Sequence, residues 1–267
     1  MSANPQAVSN EPLLLRADAG GVVTLTLDRP TQFDSLSMEL VAALQSELDR
    51  IGRDPQARVV VLAGAGKAFC AGHDLKEMRS NPSKAFQKAM FEQCSRLMLT
   101  ITSIPQPVIA RVHGIATAAG CQLVAMCDLA VASDNARFAV SGVNLGLFCS
   151  TPSVALSRNL GRKQAMQMLL TGDFIDAKTA LERGLINRVA APEQLDAEIK
   201  KLTNSILAKT PVAIKAGKQM FYRQLEMGLD EAYELASEVM ACNMMVEDAQ
   251  EGIDAFVAKR KPQWKGR

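Results

Sequence analysis

The chain has 267 residues, 48% of them hydrophobic and 22% charged, with a formal net charge of +2. That balance suits a globular protein long enough for a sizeable core, and it supplies neither a strongly basic surface nor an apolar run able to span a bilayer. Aromatic residues are only 4% of the chain, few for stacking on nucleic-acid bases, so neither nucleic acid nor a membrane is an expected partner.

Taken in order, the chain alternates. Residues 13–16 and 22–28 read as strands around a Gly20-Gly21 turn, the second alternating Val23, Leu25 and Leu27 with Thr24 and Thr26. Residues 37–51 carry apolar side chains at helical spacing, with Ser37 as the N-cap. Residues 58–63 form a β-branched run typical of a strand covered on both faces. A long helix is expected over 82–104, stopping before Pro105, then strands at 108–112 and 129–132 on either side of an apolar helix at 121–127. This β-α alternation implies an α/β core with a parallel sheet. Beyond Thr151 helices dominate: 153–160, 163–170 and 176–183, a brief strand at 186–189, then 192–209 and nearly all of 211–261. The organisation expected is a polar tail (1–12), an α/β core (13–190) and a helical C-terminal region (191–267). Methionines 220, 227, 240, 244 and 245 fall on apolar positions there, as core or subunit interface.

Two stretches carry chemistry. Residues 111–128 run from a strand through His113-Gly114 and a small-residue run, Ala116 to Gly120, into a helix. Free N–H groups at such a junction can hold an anion or a developing oxyanion. The second stretch, Gly64 to Met78, places a glycine-rich loop at a strand's carboxyl end, the usual ligand edge of an open α/β sheet. It has neither the Lys-Ser/Thr pair of a P-loop nor dinucleotide-binding glycine spacing. Six cysteines form no CxxC pair and read as buried thiols; no zinc site, other metal site or disulfide framework is expected. Residues 1–12 are polar and lack basic residues, unlike a signal or transit peptide, so a cytoplasmic address is expected.

Residues 67–78, Lys-Ala-Phe-Cys-Ala-Gly-His-Asp-Leu-Lys-Glu-Met, resemble the first signature of the enoyl-CoA hydratase/isomerase (crotonase) superfamily. Residues 114–123, Gly-Ile-Ala-Thr-Ala-Ala-Gly-Cys-Gln-Leu, resemble its second. Arg29-Pro30, Leu169 to Gly172, Gly184-Leu185-Ile186 and Gly252 to Phe256 match in the family's order, so the resemblance covers nearly all of the chain from Leu13. It implies a spiral of ββα repeats, a trimerising C-terminal region, and a homotrimer or dimer of trimers. It implies an acyl-CoA thioester as ligand, with coenzyme A part of the substrate and no tightly bound cofactor. The family's oxyanion hole, two backbone N–H groups, falls on His73 and Ala119. Its CoA contacts fall on the backbone at Asp34, Ser35, Leu36 and Ala71, on Lys76, and, from a neighbouring subunit, on Phe256 and Lys259. Gly120 belongs to the same ligand-binding junction. The basic tail, Lys259 to Lys261 with Lys265 and Arg267, suits phosphate; for Arg260 and Lys261 a solvated end is the plainer reading.

The departures lie in the acids. Where the resemblance implies two glutamates, this chain has Gln122 and Gly142, and neither exchanges a proton at neutral pH. The position of the aspartate used by dienoyl-CoA isomerases falls near Ser150. Polar candidates left are Gln122, Asn144, Cys149, Ser150 and the His73 ring, with His113 read as a turn residue and Cys149 as pocket wall. Three activities stay open: enolate chemistry needing no glutamate pair, such as decarboxylation of a malonyl-type thioester; residual hydration; or a catalytically silent acyl-CoA-binding paralogue.

Overall fold

The computed structural model describes residues 12–267, so the tail expected over 1–12 lies, all but Pro12, outside the described residues. Strands β1 (Leu14–Ala19) and β2 (Val22–Leu27) form an antiparallel hairpin. Its turn residues Gly20 and Gly21 have φ of +56° and +83°, which suits glycine. Val23, Leu25 and Leu27 of β2 are buried, the period-two pattern of the sequence made physical. Ser37 caps helix α1 (Met38–Ile51), its Oγ accepting from the Leu40 N–H at 3.2 Å, and Leu40, Val41, Leu44, Leu48 and Ile51 are buried.

From there the chain winds repeatedly through the same parts. Strand β3 (Val59–Gly64) joins a large sheet, β4 (Ala68–Cys70) steps into a small one, and α2 (Leu75–Ser80) and α3 (Lys84–Ser103) return. The next turn is β5 (Val108–Val112), β6 (Ile115–Thr117) and α4 (Ala119–Met126). The third is β7 (Leu129–Ser133), β8 (Arg137–Ala139), a 3-10 turn at Ser141–Leu145, α5 (Ser150–Asn159) and α6 (Arg162–Thr171). Strand β9 (Ile175–Asp176), α7 (Ala177–Glu182) and β10 (Arg188–Ala190) follow. The large sheet runs β1-β2-β3-β5-β7-β10, parallel beyond the hairpin, and the small one β4-β6-β8-β9. This is the crotonase-type α/β spiral. The helix expected over 82–104 starts at Lys84, capped by Ser83, with α2 as a separate turn before it.

Helices α8 (Leu195–Leu207), α9 (Pro211–Gln224), α10 (Leu229–Met244) and α11 (Glu247–Val257) complete the chain. The stretch expected to be nearly all helical over 211–261 is so, as three successive helices. Val59, Val61, Ile109 and Val131, on the large sheet's second face, pack with Leu195 and Ile199 of α8, so the central strands are covered on both sides. A buried ion pair fastens α9: Lys218 Nζ meets Asp128 Oδ2 at 2.6 Å and donates to the carbonyls of Ile101 and Gln106 at 2.8 Å. Asp128 also accepts from the Tyr222 hydroxyl at 2.9 Å and the Val108 N–H at 2.6 Å.

Candidate active site

The two chemical stretches meet at the carboxyl ends of β4 and β6. Gly72 has φ +92°, and a Cβ placed there would lie 2.9 Å from Ala118 Cβ and 3.2 Å from the Ala119 nitrogen. No larger residue permits that approach. Ala118, just before α4, has φ +50° and ψ −119°, a sparsely populated conformation for a residue with a Cβ. It is held by its N–H on the Ala139 carbonyl (3.0 Å) and by its carbonyl accepting from Gln122 N–H (3.1 Å). Gly120 is equally fixed, because a Cβ there would strike the Cys70 carbonyl at 2.1 Å. The backbone N–H groups of His73 and Ala119 have no backbone acceptor among the described residues.

The segment around Leu36 is braided onto this loop: Leu36 N–H donates to the Gly72 carbonyl (2.8 Å), Asp74 N–H to Leu36 (3.1 Å) and Ala71 N–H to Phe33 (3.0 Å). Arg29 locks the braid through an ion pair with Asp74 at 2.9 Å and a hydrogen bond to the Ser35 carbonyl. Asp74 also caps α2, accepting from the N–H groups of Lys76 and Glu77. The Lys76 side chain is exposed beside this edge. Asp34 is fully buried with φ +52°; its Oδ1 accepts from Arg29 N–H at 2.7 Å and its Oδ2 has no partner. Burial raises its pKa to about 6. The whole of Asp34, side chain and backbone, is therefore enclosed by protein.

The His73 ring packs edge-on to Phe91 with centroids 5.4 Å apart, and both ring nitrogens are buried without partners. Desolvation lowers its pKa to about 4, so the ring is neutral at pH 7. That leaves its N–H as the contribution at hand. His113 bonds the Gly66 carbonyl through Nε2 at 3.1 Å, as a turn residue does.

Gln122 lies one turn beyond Ala119 on the same side of α4; it is 4% exposed and its Oε1 is buried without a partner. Gly142 leaves no room for a side chain: a Cβ would meet the Leu147 carbonyl at 2.6 Å and Cys149 Sγ at 2.7 Å. Cys149 Sγ accepts from the Gly142 N–H at 3.3 Å, and burial raises the pKa of this thiol. Two residues that sequence reasoning missed tie these parts together, the hydroxyls of Thr117 and Ser141, 2.9 Å apart. The signal available was their adjacency to Ala118 and Gly142. Asn144 is exposed with its amide against Gly172, and Ser150 is exposed and bonds the Phe148 carbonyl, so neither joins the group around Gln122. Phe256 is 85% exposed on α11, followed by Lys259 at φ +52°. Three tail cations are taken by acids of α11: Arg260 by Glu251 at 2.6 Å, and Lys265 and Arg267 by Glu247 at 3.3 and 3.2 Å.

A sequence model of the enoyl-CoA hydratase/isomerase family matches residues 17–267. The enoyl-CoA hydratase domain-containing protein 3, mitochondrial, of Xenopus laevis is 43% identical, over 96% of this chain and 87% of that protein. The crystal structure of an enoyl-CoA hydratase from Mycobacterium smegmatis superposes with a TM-score of 0.94 at 58% identity, covering 95% of this chain and 99% of that one. That of human enoyl-CoA hydratase domain-containing protein 3 gives 0.92 at 41%, covering 95% and 100%. The cytoplasmic address expected from the N-terminal composition is corrected by these relatives, whose Xenopus and human sequences are named as mitochondrial; a short polar lead without basic residues was too slight a signal to assign a compartment. In sequence and fold, the chain belongs to the enoyl-CoA hydratase/isomerase family.

Proposed function

We propose that this protein binds an acyl-CoA thioester with the thioester oxygen between the N–H groups of His73 and Ala119, stabilises the enolate there, and hydrates enoyl-CoA weakly or not at all. The observation that carries this is the pairing of Gly72 with Ala118, which brings two N–H groups without backbone acceptors, at His73 and Ala119, close together. Each such donor is worth about 3–4 kcal/mol to a developing oxyanion. Turnover is weak because the two positions that supply proton transfer in the family hold an amide and a glycine without space for a side chain. The missing general acid–base help is worth roughly 10²–10⁴-fold per group. Coenzyme A enters and leaves as part of the substrate, along the edge formed by residues 34–36, Ala71 and Lys76.

A second reading, decarboxylation of a malonyl-type thioester, is favoured by the same lack of acids. Losing carbon dioxide makes the enolate without a base, and Gln122 and Gly142 put no negative charge beside the substrate's carboxylate. We propose also that residues 191–267 assemble the α/β core, residues 13–190, into a homotrimer or dimer of trimers. Its support is the exposed apolar surface of Leu229, Tyr233, Met240, Met245 and Phe256.

The test combines calorimetric binding of crotonyl-, butyryl- and methylmalonyl-CoA with product analysis by mass spectrometry. The expected result is binding, with crotonyl-CoA hydration orders of magnitude below about 10 s⁻¹, a typical enzyme turnover. Hydration near that rate would overturn the doubt about the missing acids, and absence of binding would overturn the thioester site itself.

A further inference from the structure

A cavity of about 550 Å³ lies at the opposite end of β3 from the thioester site. Its walls come from three parts of the chain: the turn from Gly52 to Arg58 that leads into β3, the start of α9, and the last two residues, Gly266 and Arg267. Strand β3 has six residues, so roughly 17 Å separate this turn from the Gly64 end that leads to the site. The wall made by the last residues is firmly tied. Asp248, 1% exposed, accepts from the Lys265 and Gly266 N–H groups at 2.7 and 2.9 Å and from the Thr210 hydroxyl. Its own N–H donates to the Arg267 carbonyl at 3.0 Å. The Trp264 indole adds a bond to the Ala208 carbonyl at 2.8 Å.

Four cations, Arg53, Arg58, Lys215 and Arg267, line this cavity against one acidic side chain, Asp54. Asp54 accepts from the Gln56 N–H within its own turn at 2.9 Å and lies 3.9 Å from Arg16, while Arg267 is taken by Glu247. Among the described residues, Arg53, Arg58 and Lys215 have no acid within ion-pair distance. Arg58 is held by its bond to the Lys209 carbonyl at 2.7 Å, and burial lowers its pKa. Between the charges the lining is apolar, with Pro55, Pro105, Ile206 and Val246. An independent observation concerns Gln106, which also lines the cavity and is 6% exposed. Its amide nitrogen donates to the carbonyls of Ile51 and Asp54, yet its Oε1 is buried without a partner. A buried amide oxygen is ordinarily paired, so this one awaits a donor. Unpaired cations call for an anion, the apolar walls for a ring or chain, and Gln106 for a hydroxyl or amino group. The volume lies within the range of small-molecule sites. We propose that this cavity binds an organic phosphate of nucleoside monophosphate size, separately from the acyl-CoA thioester.

The experiment is calorimetric titration of the full chain with adenosine monophosphate, beside adenosine and inorganic phosphate. The expected result is one nucleotide bound per chain, with both fragments weaker by about tenfold or more. Arg53 and Lys215 are exposed, so Arg53→Ala and Lys215→Ala should fold as the wild type does, checked by their urea midpoints. Each is expected to weaken the nucleotide by about tenfold, and the double variant further. Lys76→Ala, at the edge proposed for coenzyme A, should leave it unchanged. No binding of the nucleotide at about 1 mM, the weak end of small-ligand affinity, would overturn the inference. So would adenosine binding as tightly, which removes the phosphate, or inorganic phosphate binding as tightly, which removes the organic body. Loss of binding in Lys76→Ala with none in the Arg53 and Lys215 variants would place the nucleotide on the coenzyme A edge and overturn the separate site.

Discussion

Gln122 and Gly142, the positions where the family resemblance implies glutamates, are expected to respond differently to the same substitution. Gln122→Glu changes one atom of a side chain that already has its place, and about 10²-fold faster crotonyl-CoA hydration is expected, read from the loss of enoyl absorbance. Gly142→Glu forces a Cβ to within 2.6 Å of the Leu147 carbonyl, so a stability loss of about 1–3 kcal/mol and no gain in hydration are expected, alone or combined with Gln122→Glu. A double variant faster than Gln122→Glu would show that the turn yields. Asp34 supplies a pH signature. Its folded pKa, about 6, lies above the ordinary 3.8, so between those values the folded chain keeps a proton that the unfolded chain has released. Stability therefore falls as pH rises through that window and levels off above it. Asp34→Asn should lack this slope and be more stable at pH 7 by about 2 kcal/mol, seen as a difference in urea midpoints that grows from pH 4 to pH 6. A difference that does not vary with pH would rule out this titration.

Among the elements, those whose evidence is local were legible and those set by tertiary contact were not. Helix α1 shows its cap and its buried face in the sequence, and the apolar run at β3 announces a strand covered twice. The strands of the small sheet have two or three residues each, too few for a period to emerge, and only their pairing defines them. The site follows the same division. The motifs give the two stretches that the structure brings together at Gly72 and Ala118, whereas the burial of the Asp34 side chain and the closed space at Gly142 arise from neighbours remote in sequence. The clamp at Lys218 belongs with these, since one lysine on a helix rich in polar residues gives no sign that it will meet Asp128 at 2.6 Å with only 6% of its side chain exposed. Lys218→Met leaves Asp128 as a buried, uncompensated charge, with a loss of about 3–5 kcal/mol expected in urea unfolding. Adding Asp128→Asn should return part of that loss. If the single variant loses less than about 1 kcal/mol, the ion pair does not hold α9.

For the whole molecule, α10, α11 and the turn between them present Leu229, Tyr233, Met245, Phe256 and Val257 at 68% to 85% exposure, more apolar surface than a solitary chain usually keeps. Sedimentation equilibrium is expected to give a multiple of the chain mass, and the charged substitutions Leu229→Glu and Tyr233→Glu to shift it toward the single chain. A monomeric wild type would refute assembly through these helices. The hydrogen bond from Ala118 to Ala139 has a consequence for biosynthesis. The unusual backbone that aims the Ala119 N–H depends on an acceptor in β8, while its companion at His73 depends on the braid with Leu36. Three separate windings of the chain must therefore be in register before both donors are aimed. On the proposed reading, a nascent chain that has not yet delivered residue 139 from the ribosome lacks a complete thioester site.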